Sequence, residues 1–186
     1  MADRRFARLV SLACHDLRTP LATVYGFART LTRTEVLDER SARFVGMIES
    51  ASEQMTELLD QLGVAARIEA GRYDPALVEV DTLDLATSAD ERISAAGEGT
   101  TVETDPPAVR RALEALAVAA TRHGGVDGVT WTVRGRELQL APVNAEAAPV
   151  VTGDELRDLG SLVARSVIES LGGSLTLDGE TLRVHL

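Results

Sequence analysis

The sequence predicts an α+β protein in two units. An antiparallel helical hairpin spans residues 1–72, completed to a four-helix bundle by a second copy of the chain, and an α/β sandwich spans 73–186. Three observations predict this. Two early segments carry apolar residues at alternating steps of three and four, the heptad pattern of bundle helices. The later residues alternate short strand-like and longer helical patterns. Composition also shifts across Gly71-Arg72-Tyr73-Asp74-Pro75: residues 1–72 are net neutral, whereas 73–186 carry the whole net charge of −10, and turn residues sit at the join.

The first helix is read from Phe6, Val10, Ala13, Leu17, Pro20, Val24, Phe27 and Leu31. The second follows from Phe44, Ile48, Ala51, Met55, Leu58, Leu62 and Ala65, with Asp38 or Thr34 placed to cap it. Leu9, Leu12, Leu21, Val45 and Leu59 widen the stripes. Each helix therefore needs two neighbours, which a homodimer supplies. Cys14 is expected as a small packing residue flanking the stripe.

In the second unit, Leu77–Val80 and Thr101–Thr104 read as strands, and 107–122 as a helix burying Val109, Ala112, Leu113, Leu116 and Ala120. Ala95-Ala96-Gly97-Glu98-Gly99 reads as a flexible connection. Val129–Val133 and Glu137–Leu140 form a hairpin around Arg134-Gly135-Arg136. A helix over 154–171 ends at Gly172-Gly173. Strands 174–177 and 181–184 then pair across Asp178-Gly179. The outcome is a mixed sheet covered on one side by helices.

Composition excludes several chemistries. All 19 basic residues are arginine, which removes the Walker-type P-loop, Schiff-base lysines and kinase-type ATP lysines. The acidic balance argues against nucleic acid, which needs clustered cations. One cysteine excludes a disulfide framework and multi-cysteine zinc sites. No apolar run reaches the roughly 18 residues of a membrane span, and no signal-peptide pattern opens the chain, so the expectation is a soluble, cytoplasmic protein.

On the first helix, a heptad register with Val10 and Leu17 at a and Ala13 at d puts His15 at f, facing away from the core. Ser11 and Thr19 lie one turn either side, and Asp16 is adjacent. Pro20 costs a helix interior about 3 kcal/mol. It bends the helix and removes the partner of the Asp16 carbonyl, beside the histidine. A neutral imidazole has one lone pair able to attack phosphorus. A neighbouring carboxylate can hold the opposite N–H and accept positive charge as the bond forms.

His15-Asp16-Leu17-Arg18-Thr19-Pro20-Leu21 resembles the H-box of the dimerisation and phosphoacceptor domain of two-component sensor histidine kinases, and the likeness extends over roughly residues 3–72. The resemblance implies that His15 is the phosphorylated residue. Asp16 would assist it, and Thr19 would help position water for dephosphorylating a partner. Arg18 reads equally as a phosphate clamp or a solvated arginine. Ser11, Arg18 and Pro20 make up the expected partner-docking face.

The order of elements over 76–186 resembles the Bergerat-type ATPase domain of the same kinases. Asp105 and the following helix resemble its N-box helix, and 164–173 its last helix and turn. Here the departures decide the expectation. The two N-box asparagines, the second of which holds Mg²⁺, correspond to Ala115 and Ala119. The Asp-x-Gly-x-Gly loop corresponds to Asn144, Glu146 and Ala148, and of the later glycine-rich stretch only Gly160 remains. Magnesium wants oxygen ligands, and triphosphate wants cations or backbone N–H groups. No ATP, cofactor or resident metal is therefore expected.

The resulting expectation is a histidine phosphotransferase of a phosphorelay, similar to the ChpT-like group. It would be a phosphotransferase and not an autophosphorylating kinase, exchanging phosphate between His15 and aspartates of response-regulator receiver domains that bring their own Mg²⁺. Two other readings stay open: a degenerate kinase serving as a receiver-binding scaffold, and an active kinase with a divergent nucleotide pocket.

Overall fold

The computed structural model describes residues 4–34 and 37–186. The chain divides into two compact units, Met1–Arg72 and Tyr73–Leu186.

The first unit is a hairpin of two long helices, α1 (Arg4–Thr34) and α2 (Glu39–Glu69), packed along their length. Asp38 caps α2: its carboxylate accepts from the Ser41 amide at 2.9 Å and the Ser41 hydroxyl at 2.9 Å. Those two donors, the amide first, hold the Asp38 carboxyl below the usual carboxylate range. Thr34, the alternative cap, is the last residue of α1. Gly71, in the left-handed region at φ 64°, turns the chain out of α2.

The seam of the hairpin differs from the expected one. Its buried residues are small: Ala7, Cys14 and Ala28 on α1, separated by seven and fourteen residues, and Ser52, Gly63 and Ala66 on α2. Cys14 is 3% exposed, so it belongs to the seam and does not flank it. Small side chains let two helix axes approach closely, and the seam therefore runs one position round from the large-residue stripe. Those large residues point out of the hairpin. Phe6, Leu17, Val24, Phe27 and Leu31 on α1 are exposed, as are Phe44, Ile48, Met55, Leu58 and Leu62 on α2.

The second unit is built from β1 (Val78–Asp81), α3 (Thr82–Ala86), β2 (Ile93–Gly99), β3 (Thr101–Thr104), α4 (Pro106–Gly124), β4 (Val129–Gly135), β5 (Glu137–Ala141), α5 (Ala148–Val151), α6 (Leu159–Ser170), β6 (Ser174–Asp178) and β7 (Thr181–His185). A five-stranded sheet runs β2-β4-β5-β7-β6, and β1 and β3 form an antiparallel pair of their own. The sheet is mixed: β2 runs parallel to β4, and the other pairs are antiparallel. Alternate residues of the strands, Trp131, Val133, Leu138, Leu140, Leu182 and Val184, are buried. So is the apolar face of α4, with Val109, Leu113 and Leu116, and that of α6, with Val163, Val167 and Ile168.

Two expectations about the second unit are corrected. Residues 95–99 are not a flexible connection but most of β2, paired in register from Ile93↔Val129 to Gly99↔Gly135. Alanine and glycine hide the strand from a pattern built on β-branched residues. The glycine is structural: Gly97 has φ 124°, and a Cβ there would lie 2.1 Å from the Val133 carbonyl oxygen. The helix expected from 154 begins at Leu159, because Asp158 caps it by accepting from the Ser161 amide at 2.9 Å. The short helices α3 and α5 were not foreseen. Single-turn helices carry too little periodicity to register.

Candidate functional site

Helix α1 continues through Pro20, so one rigid element presents the whole His15–Leu21 segment. His15 is 77% exposed, and its Nδ1 lies 3.2 Å from Asp16 Oδ1. An ionised carboxylate only accepts, so in a neutral ring this pairing puts the proton on Nδ1 and leaves the lone pair on Nε2. Pro20 donates no hydrogen bond to the carbonyl of Asp16, four residues earlier. Thr19 is exposed, and its carbonyl accepts from the Thr23 hydroxyl at 3.2 Å. His15, Arg18, Thr19, Ala22 and Thr23 line a shallow depression on the hairpin. Ser11, one turn before His15, is half-buried.

Arg18 is engaged by the second helix. Its guanidinium donates to Asp60 Oδ1 of α2 at 2.6 Å, with both side chains 45% exposed. Two turns further along, Tyr25 donates to Glu53 at 3.0 Å, and Arg29 donates to the Tyr25 oxygen at 3.1 Å. Asp60, Ala22 and Thr23 are the residues that reading the sequence missed. Asp60 lies forty-two positions from Arg18, and only the pairing register of the two helices brings them together. Ala22 and Thr23 follow from helical spacing after His15, which is the signal that could have found them.

In the second unit, most of the positions that the resemblance equates with the ATPase motifs are built into the packing. Ala119 is buried and Ala115 half-buried on α4; neither has an oxygen or nitrogen on its side chain. Asn144 is spent on structure: it donates to the Gly124 carbonyl at 2.7 Å and accepts from the Ala147 amide at 3.1 Å. Glu146 is exposed and Ala148 opens α5. Helix α5 packs on α4, with Ala147, Val150 and Val151 fully buried. Ser161 of α6 donates to the Val150 carbonyl at 3.0 Å, and Arg165 donates to the Thr152 carbonyl. His123 and Arg122, at the end of α4, each lie 3.4 Å from Asp158 Oδ2. Gly160 sits in the first turn of α6. Ala115 and Ala119 offer no side-chain oxygen or nitrogen to a magnesium ion, and Glu146 adds negative charge.

Among the described residues, no helix is long and apolar enough to cross a membrane. Residues 7–71 match the model of the His Kinase A (phospho-acceptor) domain. Sensor protein DivL of Caulobacter vibrioides is 30% identical over 91 residues, covering 49% of this chain and 12% of that protein. Sensor histidine kinase TrcS of Mycobacterium tuberculosis is 34% identical over 90 residues, covering 47% and 17%. The chain thus spans less than a fifth of the length of either relative. Full-length ShkA in complex with AMPPNP superposes with a TM-score of 0.67 at 22% identity, over 95% of this chain and 44% of that one. Acinetobacter baumannii histidine kinase AdeS gives 0.50 at 17% identity, over 91% and 94%. These two likenesses show the fold: a helical hairpin followed by an α/β sheet domain of the histidine-kinase ATPase type.

Proposed function

We propose that this histidine kinase-like chain, with a phosphoacceptor-type hairpin and an ATPase-like second unit, is a histidine phosphotransferase of a two-component phosphorelay, similar to the ChpT-like group. It exchanges phosphate between His15 and receiver-domain aspartates without binding ATP. The observation that carries the reading is the exposed His15 imidazole held at Nδ1 by Asp16. The alanines at 115 and 119 support an external source of phosphate.

The chemistry follows from that geometry. Nε2 attacks the phosphorus of a receiver aspartyl phosphate; the N–P bond forms as the O–P bond breaks, and the aspartate leaves with the electron pair. Positive charge developing on the ring is shared with Asp16 through the Nδ1–H. Return transfer retraces the same path. The receiver supplies Mg²⁺ when it docks. Catalysis by this chain is therefore positioning and charge compensation. Ser11, Arg18 and Pro20 flank the acceptor as the proposed docking face, and Thr19 is the proposed water-positioning residue.

The active form in this reading is a homodimer, which covers the exposed apolar faces of α1 and α2. The deciding experiment incubates the protein with candidate phosphorylated receivers and follows label onto it. Transfer to His15 is expected. Receiver binding without transfer would make the chain a scaffold, and labelling by Mg-ATP alone would make it a kinase with a divergent pocket.

A further inference from the structure

We propose that Asp60 is a positioning residue for the phosphorylated state of His15: it holds the Arg18 guanidinium at the His15 depression and yields it to the phosphoryl group once that group is present. The inference rests on His15 being the phosphoacceptor.

Arg18 lies three residues after His15 on α1, a spacing at which helix side chains meet, and the two line the same depression. Asp60 reaches it from the second helix, at 2.6 Å from the guanidinium. An arginine fixed this close to the acceptor would bind any phosphate nearby, yet here its charge is matched by Asp60. Both groups are about half exposed, and such pairs are weak and readily exchanged. A phosphoryl group on Nε2 carries more charge than a carboxylate and offers three acceptor oxygens to the arginine fork. Among the described residues, the charged groups bonded to this cluster are Asp16 of α1 and Asp60 of α2. Both are anionic and repel the phosphoryl group, so Arg18 is its one compensating charge within the cluster. Asp60 then tunes how much of that charge the phosphoryl group receives.

The test does not depend on any receiver. Phosphoramidate phosphorylates exposed histidine directly: Nε2 attacks phosphorus, the P–N bond to the amine breaks, and ammonia departs with a proton released from the ring Nδ1. Site-resolved mass spectrometry locates the product, and ³¹P NMR titration of the full chain reads the phosphoryl pKa. Relative to the unmodified sequence, Arg18→Gln should raise that pKa and Asp60→Asn should lower it, each by roughly half a unit. Arg18→Lys should recover part of the loss. A purely structural ion pair would change melting temperature in both variants and leave the phosphoryl pKa alone. If Arg18→Gln does not raise the pKa, or Asp60→Asn does not lower it, the proposal fails. Modification of His123 or His185 with His15 spared would overturn it as well. If receivers fail to label the protein while the two shifts appear, the relay reading falls and this inference stands.

Discussion

His15 and Asp16 make different contributions, and substitutions should separate them. The His15 ring is exposed and lies outside the seam of small residues, so His15→Ala should keep the melting temperature and the oligomeric mass while abolishing acceptance of phosphate. Asp16→Asn keeps the shape but removes the charge that assists the ring, and transfer should slow by about 10²–10⁴-fold with receiver affinity unchanged. Quenched-flow transfer with separate binding measurements distinguishes the two. Persistent labelling of the His15→Ala protein would move the acceptor to His123 or His185. Thr19→Ala should spare transfer but slow receiver dephosphorylation; a parallel change in both rates would reduce Thr19 to a docking contact. His15, Asp16, Thr19 and Pro20 were legible because they are adjacent and one proline sits where a helix resists it. Asp60 was not legible, since its role exists only once α2 lies beside α1.

At the scale of elements, β2 is the sharpest test, because its residues look like a loop. Gly97→Ala places a methyl group against the Val133 carbonyl at a φ of 124°, and should cost about 2 kcal/mol or more, read by denaturant unfolding of the second unit. A flexible connection would tolerate the change. The segment leading into β2 also predicts a pH response. Two hydrogen bonds to Arg92, the guanidinium first and the amide second, hold Asp90 down to about 2. A carboxyl depressed in the folded state adds stability that is fully present above its ordinary value of 3.8 and is lost as pH falls through about 2. The melting temperature should therefore decline from about pH 4 downward, and less steeply in Arg92→Gln. The Asp38 cap has the same sign, and Asp38→Ala should lower the melting temperature of the hairpin by a few degrees.

For the whole molecule, the exposed apolar faces of the hairpin set the expected assembly. Leu17, Phe44, Ile48, Met55 and Leu58 are all exposed in the single chain, and burying each is worth roughly 1.5–3 kcal/mol. Sedimentation should find a dimer; a concentration-independent monomer would remove the four-helix bundle from the account. In the second unit, millimolar Mg-ATP should produce neither heat nor a thermal shift, and micromolar binding would favour the kinase reading over the relay. Placing asparagine at both 115 and 119 should not create binding by itself, because α5 packs on α4 and its Val150 and Val151 are fully buried.

The sequence by itself determined the hairpin, the acceptor motif, and the strands and helices that show clear periods of two and 3.6. These are properties of neighbours along the chain, and local spacing records them. Tertiary structure decided which face of each helix forms the seam. Large and small stripes are both periodic, and only close approach of two axes selects the small one. It also decided that 93–99 is a strand, because pairing with β4 supplies backbone hydrogen bonds that alanine and glycine do not advertise. Finally, it set Asp60 beside Arg18. An ion pair between residues forty-two positions apart is a fact of helix register, which no local pattern contains.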